Sequence, residues 1–271
     1  MGRSSDGSLG KKNFGKQLKK MAFENWQESF ETELDKAEKK ELIPVLRYFR
    51  REYLRGVQEY FDTGKVSNWD GYFNPRDIGV LYAGIYTGVG LRFSKLYAGT
   101  VGAVYQPLIN PSDYTPLWRD NFRNAGLKIA EFKGVSVART QQKELTRVIS
   151  RLHRSPEFQA MNERSAQRIL RSQVKGLTEW RAKTIVRTEA TNAANYATMK
   201  TAQDMYGEDN LTKTWNTSFA NSRDTHIRAH NQKKDFKEKF VVGGEYLMHP
   251  GSGSLPENNI NCKCSSLPLP K

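Results

Sequence analysis

Residues Thr178 to Gly207 read TEWRAKTIVRTEATNAANYATMKTAQDMYG. The run holds no proline, and Ala182, Ala190, Ala193, Ala194, Ala197 and Ala202 recur through it. Alanine loses no side-chain entropy in a helix, so this composition predicts a long, closely packed helix ending near Tyr206, before Gly207. The character then changes. Lys213-Thr214-Trp215-Asn216-Thr217 alternates like a strand, 223–235 suits a short helix, and Phe240 to Tyr246 reads as a strand entering a turn at Gly243-Gly244. Residues 249–259, rich in Pro, Gly, Ser and Asn, read as a loop. The fold class that follows is mainly α: a long helical N-terminal body and then a small α+β C-terminal module.

Upstream of this run the periodicity is helical again. In 139–155, Leu145, Val148, Ile149 and Leu152 make an apolar stripe, and Arg139, Lys143, Arg147, Arg151 and Arg154 make a basic one. Pro156 stops that helix. A second, over about 157–175, turns Phe158, Met161, Ile169 and Leu170 inward and carries Arg164, Arg168, Arg171 and Lys175 along an edge. Gly176 should end it and Thr178 should cap the next. Between Arg139 and Arg187 there are 12 lysines and arginines against 4 acids. A charge run is commonly just a solvated face, but two successive combs suit a polyanion.

Nearer the N-terminus, Pro107, Pro111 and Pro116 mark 107–117 as a loop. In 75–106, glycines (Gly79, Gly84, Gly88, Gly90) alternate with Leu81, Ile85, Val89 and Leu91. Each glycine costs a helix about 1 kcal/mol, which close packing through pairs such as Gly84 and Gly88 would offset, either in the core or against another protein. Residues 22–61 read as helical, with Trp26, Phe30 and Leu34 four apart, Leu42, Val45, Leu46 and Phe49 continuing, a break or kink at Pro44, and an end at Asp62-Thr63-Gly64. Residues 1–20, basic and lacking an apolar run, suit a flexible tail and no signal peptide. The organisation is then 1–20 tail, 21–135 helical region, and 136–271 a C-terminal module made of basic helices (139–206) and an α+β tail (207–265).

The chain has 271 residues, enough for one large domain or two. Its net charge of +14, from 43 basic and 29 acidic residues, favours polyanionic partners, since each neutralised phosphate releases counterions. The most apolar stretch, Ile78 to Val104, carries Arg92, Lys95 and several glycines, which argues against a membrane span. Two cysteines one residue apart, Cys262 and Cys264, build no disulfide framework and fit a reducing compartment.

Glu189, set among alanines, must be paired or protonated; Arg187, two residues away, cannot share its helix face, and Arg223 is a plausible partner. His226 and His230, four apart, together with Cys262 and Cys264, make a plausible tetrahedral zinc set, with His249 a competing ligand. Against that stands the tight Cys-X-Cys spacing and the plainer alternative of two small buried cysteines beside a hydrogen-bonded histidine. No cofactor is required. Phosphate-binding loop, GxSxG, HExxH and dinucleotide signatures are missing, so an enzyme is not the default.

Taken in order, Arg187-Thr188-Glu189, Trp215, Arg223, Asp224 and His226, Gly243-Gly244, Pro250, and Asn261, Cys262 and Cys264 resemble the Mu F-like minor head (head morphogenesis) module of tailed bacteriophages over about residues 180–265. One departure lies at Phe219-Ala220-Asn221, where the family often has an Asp and a further Arg. The resemblance implies a non-catalytic minor head protein, inside the capsid at the portal vertex of the virion after assembly in the host cytoplasm. It implies roles in head assembly and in DNA packaging or delivery. The implied partners are the phage portal protein, other capsid proteins and packaged double-stranded DNA, with several copies around the portal. The combs would touch phosphate without reading sequence. The alternatives are a metal-dependent phosphodiesterase or nuclease built on the histidines and cysteines, and a host DNA-compacting protein.

Overall fold

The structure, a computed structural model, describes residues 25–66, 71–220 and 222–271; the basic segment 1–20 and Asn221 lie outside them. Four long helices dominate the described residues: α1 (Trp26–Thr63), α2 (Pro75–Val101), α3 (Thr115–His153) and, after the single turn α4 (Pro156–Gln159), α5 (Glu163–Tyr206). Their starts follow from local chemistry. The Asn74 side chain accepts the Arg76 amide and Pro75 opens α2, while the Asn162 side chain accepts the Ser165 amide ahead of α5. Gly64 closes α1 in the left-handed region, at φ 67, its N–H bonded to the Tyr60 carbonyl.

Two expected interruptions do not occur. Pro44 lies inside an unbroken α1, on its exposed face; proline removes an amide, and the carbonyl it frees four residues back belongs to exposed Lys40, where water can satisfy it. Gly176 neither ends a helix nor hands over to a cap. The single helix α5 runs through it, and the Thr178 hydroxyl donates back to the Val174 carbonyl. Residues 139–155 likewise form only the last part of α3, which begins at Thr115 inside the expected loop.

α2 is central: it packs on α3 and α5, and α5 also packs on α1. Aromatic rings fill the seam. Phe30 lies 4.8 Å from Phe93, and Trp26 stands edge-on to Tyr97 at 6.2 Å. The glycines of α2 are used in the core, though not through the pair Gly84 and Gly88. Gly84 is exposed with open space beside it, and Gly88 makes room for the Glu41 carboxylate. The close helix–helix approach is at Gly126 of α3, where a Cβ would stand 2.7 Å from the Tyr82 carbonyl oxygen and 2.8 Å from Ala83 Cα on α2.

The C-terminal unit comprises β1 (Leu211–Asn216), the short helix α6 (Asp224–Arg228), β2 (Lys233–Asp235), the hairpin β3 (Phe240–Val242) and β4 (Glu245–Leu247), the turn of helix α7 (Pro256–Asn259), and β5 (Ser265–Pro270). Residues 223–235 thus hold a helix of five residues and then a strand, not one helix. β1 is the middle strand of an antiparallel sheet ordered β2-β1-β5, with Lys213 opposite Pro268 and Leu211 opposite Pro270. Prolines two apart send both nitrogens to the same edge of β5, away from β1, so no ladder bond is lost. The Pro268 carbonyl faces that edge and accepts from Tyr97 Oη at 2.9 Å, so α2 covers it. In the hairpin, Gly243 and Gly244 adopt φ 56 and 79, the left-handed pair a two-residue turn requires.

The helical core extends into this unit through Leu211, Phe236 and Leu267, while Trp215, Ala229, Phe240, Val242, Leu247 and the two cysteines form a second, smaller cluster. Position 135 lies within continuous α3. No described helix is long and apolar enough to cross a membrane.

Two glycine-to-alanine substitutions should act in opposite directions. Gly126→Ala must push backbone against backbone and should lower the free energy of urea unfolding by about 1–3 kcal/mol. Gly176→Ala, exposed with nothing near it, should raise that free energy by about 0.5–1 kcal/mol. Equal effects at the two sites would contradict the helix contact described.

Candidate functional site

The middle of α5 carries a buried polar stripe where an apolar one would be expected: Thr188, Thr191, Asn192 and Asn195. Buried polar groups need partners, and for Thr188, Thr191 and Asn195 the partners are main-chain groups of the segment leading into β5 and of β5 itself. Thr188 Oγ1 accepts the Asn261 amide at 3.2 Å. Thr191 Oγ1 donates to the Cys262 carbonyl. Asn195 Nδ2 donates to the Cys264 carbonyl at 3.0 Å, and Asn195 Oδ1 accepts the Ser266 amide at 2.7 Å. Side chains at i, i+3 and i+7 on one helix face thereby hold an irregular strand-like segment along its length. Asn261 adopts φ 58, a left-handed conformation asparagine tolerates.

The anchors read from the sequence come together around this clasp. Trp215 is fully buried, edge-on to His226 at 5.7 Å and to Phe240 at 5.4 Å. Pro250 is buried, and the loop through Gly251 lies against the α5 backbone at Asn192. Arg187 Nε donates to Glu38 of α1 at 3.3 Å. Asp224 is exposed in the first turn of α6.

Glu189 is paired, but not with Arg223. Its carboxylate receives Lys133 Nζ from α3 at 2.8 Å and the Tyr86 and Tyr82 hydroxyls from α2 at 3.3 and 3.5 Å. Burial and the adjoining Glu189 charge hold both phenols well above the ordinary tyrosine range. Arg223 instead donates to the Ile260 carbonyl at 2.7 Å, fastening the N-terminal end of α6 to the same C-terminal segment. The reason is geometric: Glu189 faces α2 and α3, whereas α6 packs on the hairpin, at β3.

Of the four residues expected to form a metal set, three converge. Among the described residues, His226, Cys262 and Cys264 bring one ligand atom each within 4.8 Å of one another, all buried. His230 does not join them. α6 ends at Arg228, so the i, i+4 relation is lost, and His230 instead accepts the Thr217 amide through Nδ1 at 3.3 Å while its ring meets Phe219 at 4.9 Å. His249 stands apart against Tyr196, its Nδ1 3.1 Å from the Pro250 carbonyl oxygen. The hydrogen bond between the two thiols pushes Cys264 down and Cys262 up; burial raises both, and His226 adds to the lowering of Cys264.

The nine comb residues, Arg139, Lys143, Arg147, Arg151 and Arg154 on the α3 side and Arg164, Arg168, Arg171 and Lys175 on α5, are all exposed. Arg151 reaches across to Gln173 of α5 at 3.0 Å, so the two basic helix segments lie side by side there. Arg147 is also paired with Glu144 on its own helix, at 2.6 Å.

The described residues thus form a helical shaft with an α+β unit clasped to α5 through main-chain contacts. Residues 138–267 match the family described as Phage Mu protein F like protein. That region of the chain therefore belongs to the Mu F-like family of phage head-related proteins. It starts within α3 and ends within β5, so it holds the combs and every anchor, whereas Lys133, Tyr82 and Tyr86, which satisfy Glu189, lie outside it. Comparison with curated proteins and with solved structures gives no match.

His249 supplies a pH test of the clasp. Burial, reinforced by the Lys213 charge, pulls its pKa down to about 4, against the Pro250 hydrogen bond. The unfolded chain titrates this histidine near 6.5, so between those values the unfolded state holds the extra proton and stability falls as pH falls. Wild-type protein should lose on the order of 2–3 kcal/mol more than His249→Gln in urea melts between pH 7 and 4.5. Parallel profiles would show that His249 stays accessible to protons in the folded protein.

Proposed function

We propose that this chain is a minor head protein of a tailed phage, positioned inside the capsid near the portal, that binds packaged double-stranded DNA without sequence preference and acts by binding rather than turnover. The observation that carries the DNA contact is the pair of exposed basic combs on neighbouring helix segments within the Mu F-like region. Arginine and lysine at one turn's spacing along two adjacent rods track a phosphate backbone and leave base edges unread. The match to the Mu F-like family supports capsid proteins as partners; the portal protein among them, and several copies around the portal, are part of the same proposal.

The burial of His226, Cys262 and Cys264 supports the non-catalytic reading over the nuclease one. They are 1–3% exposed, so a phosphodiester has no path to them. The family membership of the region supports a phage role over that of a host DNA-compacting protein.

DNA binding should fall steeply with salt, and replacing Arg147, Arg151, Arg168 and Arg171 with glutamine should make the slope of log affinity against log salt shallower by up to about 4. Circular dichroism would confirm that the variant keeps its helices. An unchanged slope would remove the combs from the account. Separately, the protein should co-sediment with purified virions and cross-link to the portal; absence from particles would end the minor head reading.

A further inference from the structure

We propose that His226, Cys262 and Cys264 form a site for a thiophilic divalent cation, zinc by preference, that pins α6 to the segment leading into β5. The inference does not rest on the proposed function. His226 Nδ1 lies 3.4 Å from Cys264 Sγ and 3.7 Å from Cys262 Sγ. Around tetrahedral zinc, with bonds of about 2.3 Å to sulfur and about 2.0 Å to nitrogen, the nitrogen–sulfur edge is about 3.5 Å. The two observed separations bracket that edge. A main-chain donor already points at one of the sulfurs: the Cys264 amide donates to Cys262 Sγ at 3.4 Å. Such a donor supports thiolate charge, and two thiolates with an imidazole select zinc over oxygen-seeking magnesium or calcium.

A second observation is independent of the ligand geometry. Of the five buried polar side-chain atoms without a hydrogen-bond partner among the described residues, Glu38 Oε1 lies elsewhere and the other four are Trp215 Nε1, Asn216 Nδ2, Ser218 Oγ and His226 Nε2. All four lie in the ligand His226 or in the stretch 215–218 beside the cluster: the Trp215 ring meets that of His226, and the Thr217 hydroxyl donates to the His226 carbonyl at 2.7 Å. Trp215 Nε1, Asn216 Nδ2 and, with Nδ1 on the metal, His226 Nε2 are N–H donors, which ordered water rather than the cation would satisfy, and such a group of orphans marks a place beside the cluster where buried water belongs. With three protein ligands in place, a buried water fills the fourth position. The enclosure of the site makes the ion a structural cross-link between residues 36 apart in sequence.

The test uses the full chain, first as purified without chelator and then stripped of metal and titrated with cobalt(II). We expect about one zinc per chain by elemental mass spectrometry. Stripped protein should take up cobalt with the thiolate charge-transfer and tetrahedral d–d bands, and zinc should bleach them. His230→Ala should bind like wild type, whereas Cys264→Ser and His226→Ala should weaken metal binding more than about tenfold. Should those two variants fail to fold, the wild-type cobalt spectrum and zinc protection of the thiols from a disulfide reagent decide the matter. Stripped, folded wild type that shows neither bands nor protection would overturn the proposal, as would loss of binding in His230→Ala.

Discussion

The C-terminal unit depends on hydrogen bonds between side chains of one helix and the backbone of one irregular segment. Thr188, Thr191 and Asn195 serve main-chain groups at Asn261, Cys262, Cys264 and Ser266. Each such bond is worth about 1 kcal/mol net, but leaving a buried main-chain group unserved costs about 1–3 kcal/mol, so the set is effectively all or nothing. β5 follows directly from this segment, and β1 pairs with β5 along its whole length. Removing the stripe from α5 would leave the segment unsatisfied, β5 without its lead, and the second core open.

The same helix looks the other way as well. Glu189 takes Lys133 from α3 and two tyrosines from α2, and Arg187 takes Glu38 from α1. At the far end, Trp26 of α1 donates to Ser265 of β5 at 3.0 Å. α5 is therefore the shared member of two assemblies: the helical body and the clasped tail. The Mu F-like region is completed by residues that precede it in the chain, and its exposed basic combs lie on two of the long helices of that body.

The helices were legible wherever an apolar stripe kept its period. Trp26, Phe30 and Leu34, and Leu145 with Ile149, are buried as their spacing requires. Local signals misled where tertiary setting overrode them. Pro44 and Gly176 both lie on solvent-facing surfaces, where a missing bond or a missing side chain is tolerated. β5 was concealed by Pro268 and Pro270, which are harmless only because their nitrogens face an edge that α2 covers. The anchors Trp215, His226, Cys262 and Cys264 were visible as a set. The residues that hold the tail, Thr191 and Asn195, were not, because in an alanine-rich helix they read as small neutral positions. A signal existed in their spacing of three and four with Thr188, on a face that should have been apolar.

Native-state hydrogen exchange followed by mass spectrometry tests the clasp most directly. Peptides covering 188–199 and 261–267 should share one protection level and one opening transition, and Asn195→Ala should lower both together. Rapid exchange across 261–267 with α5 still fully protected, unaltered by that substitution, would contradict the account.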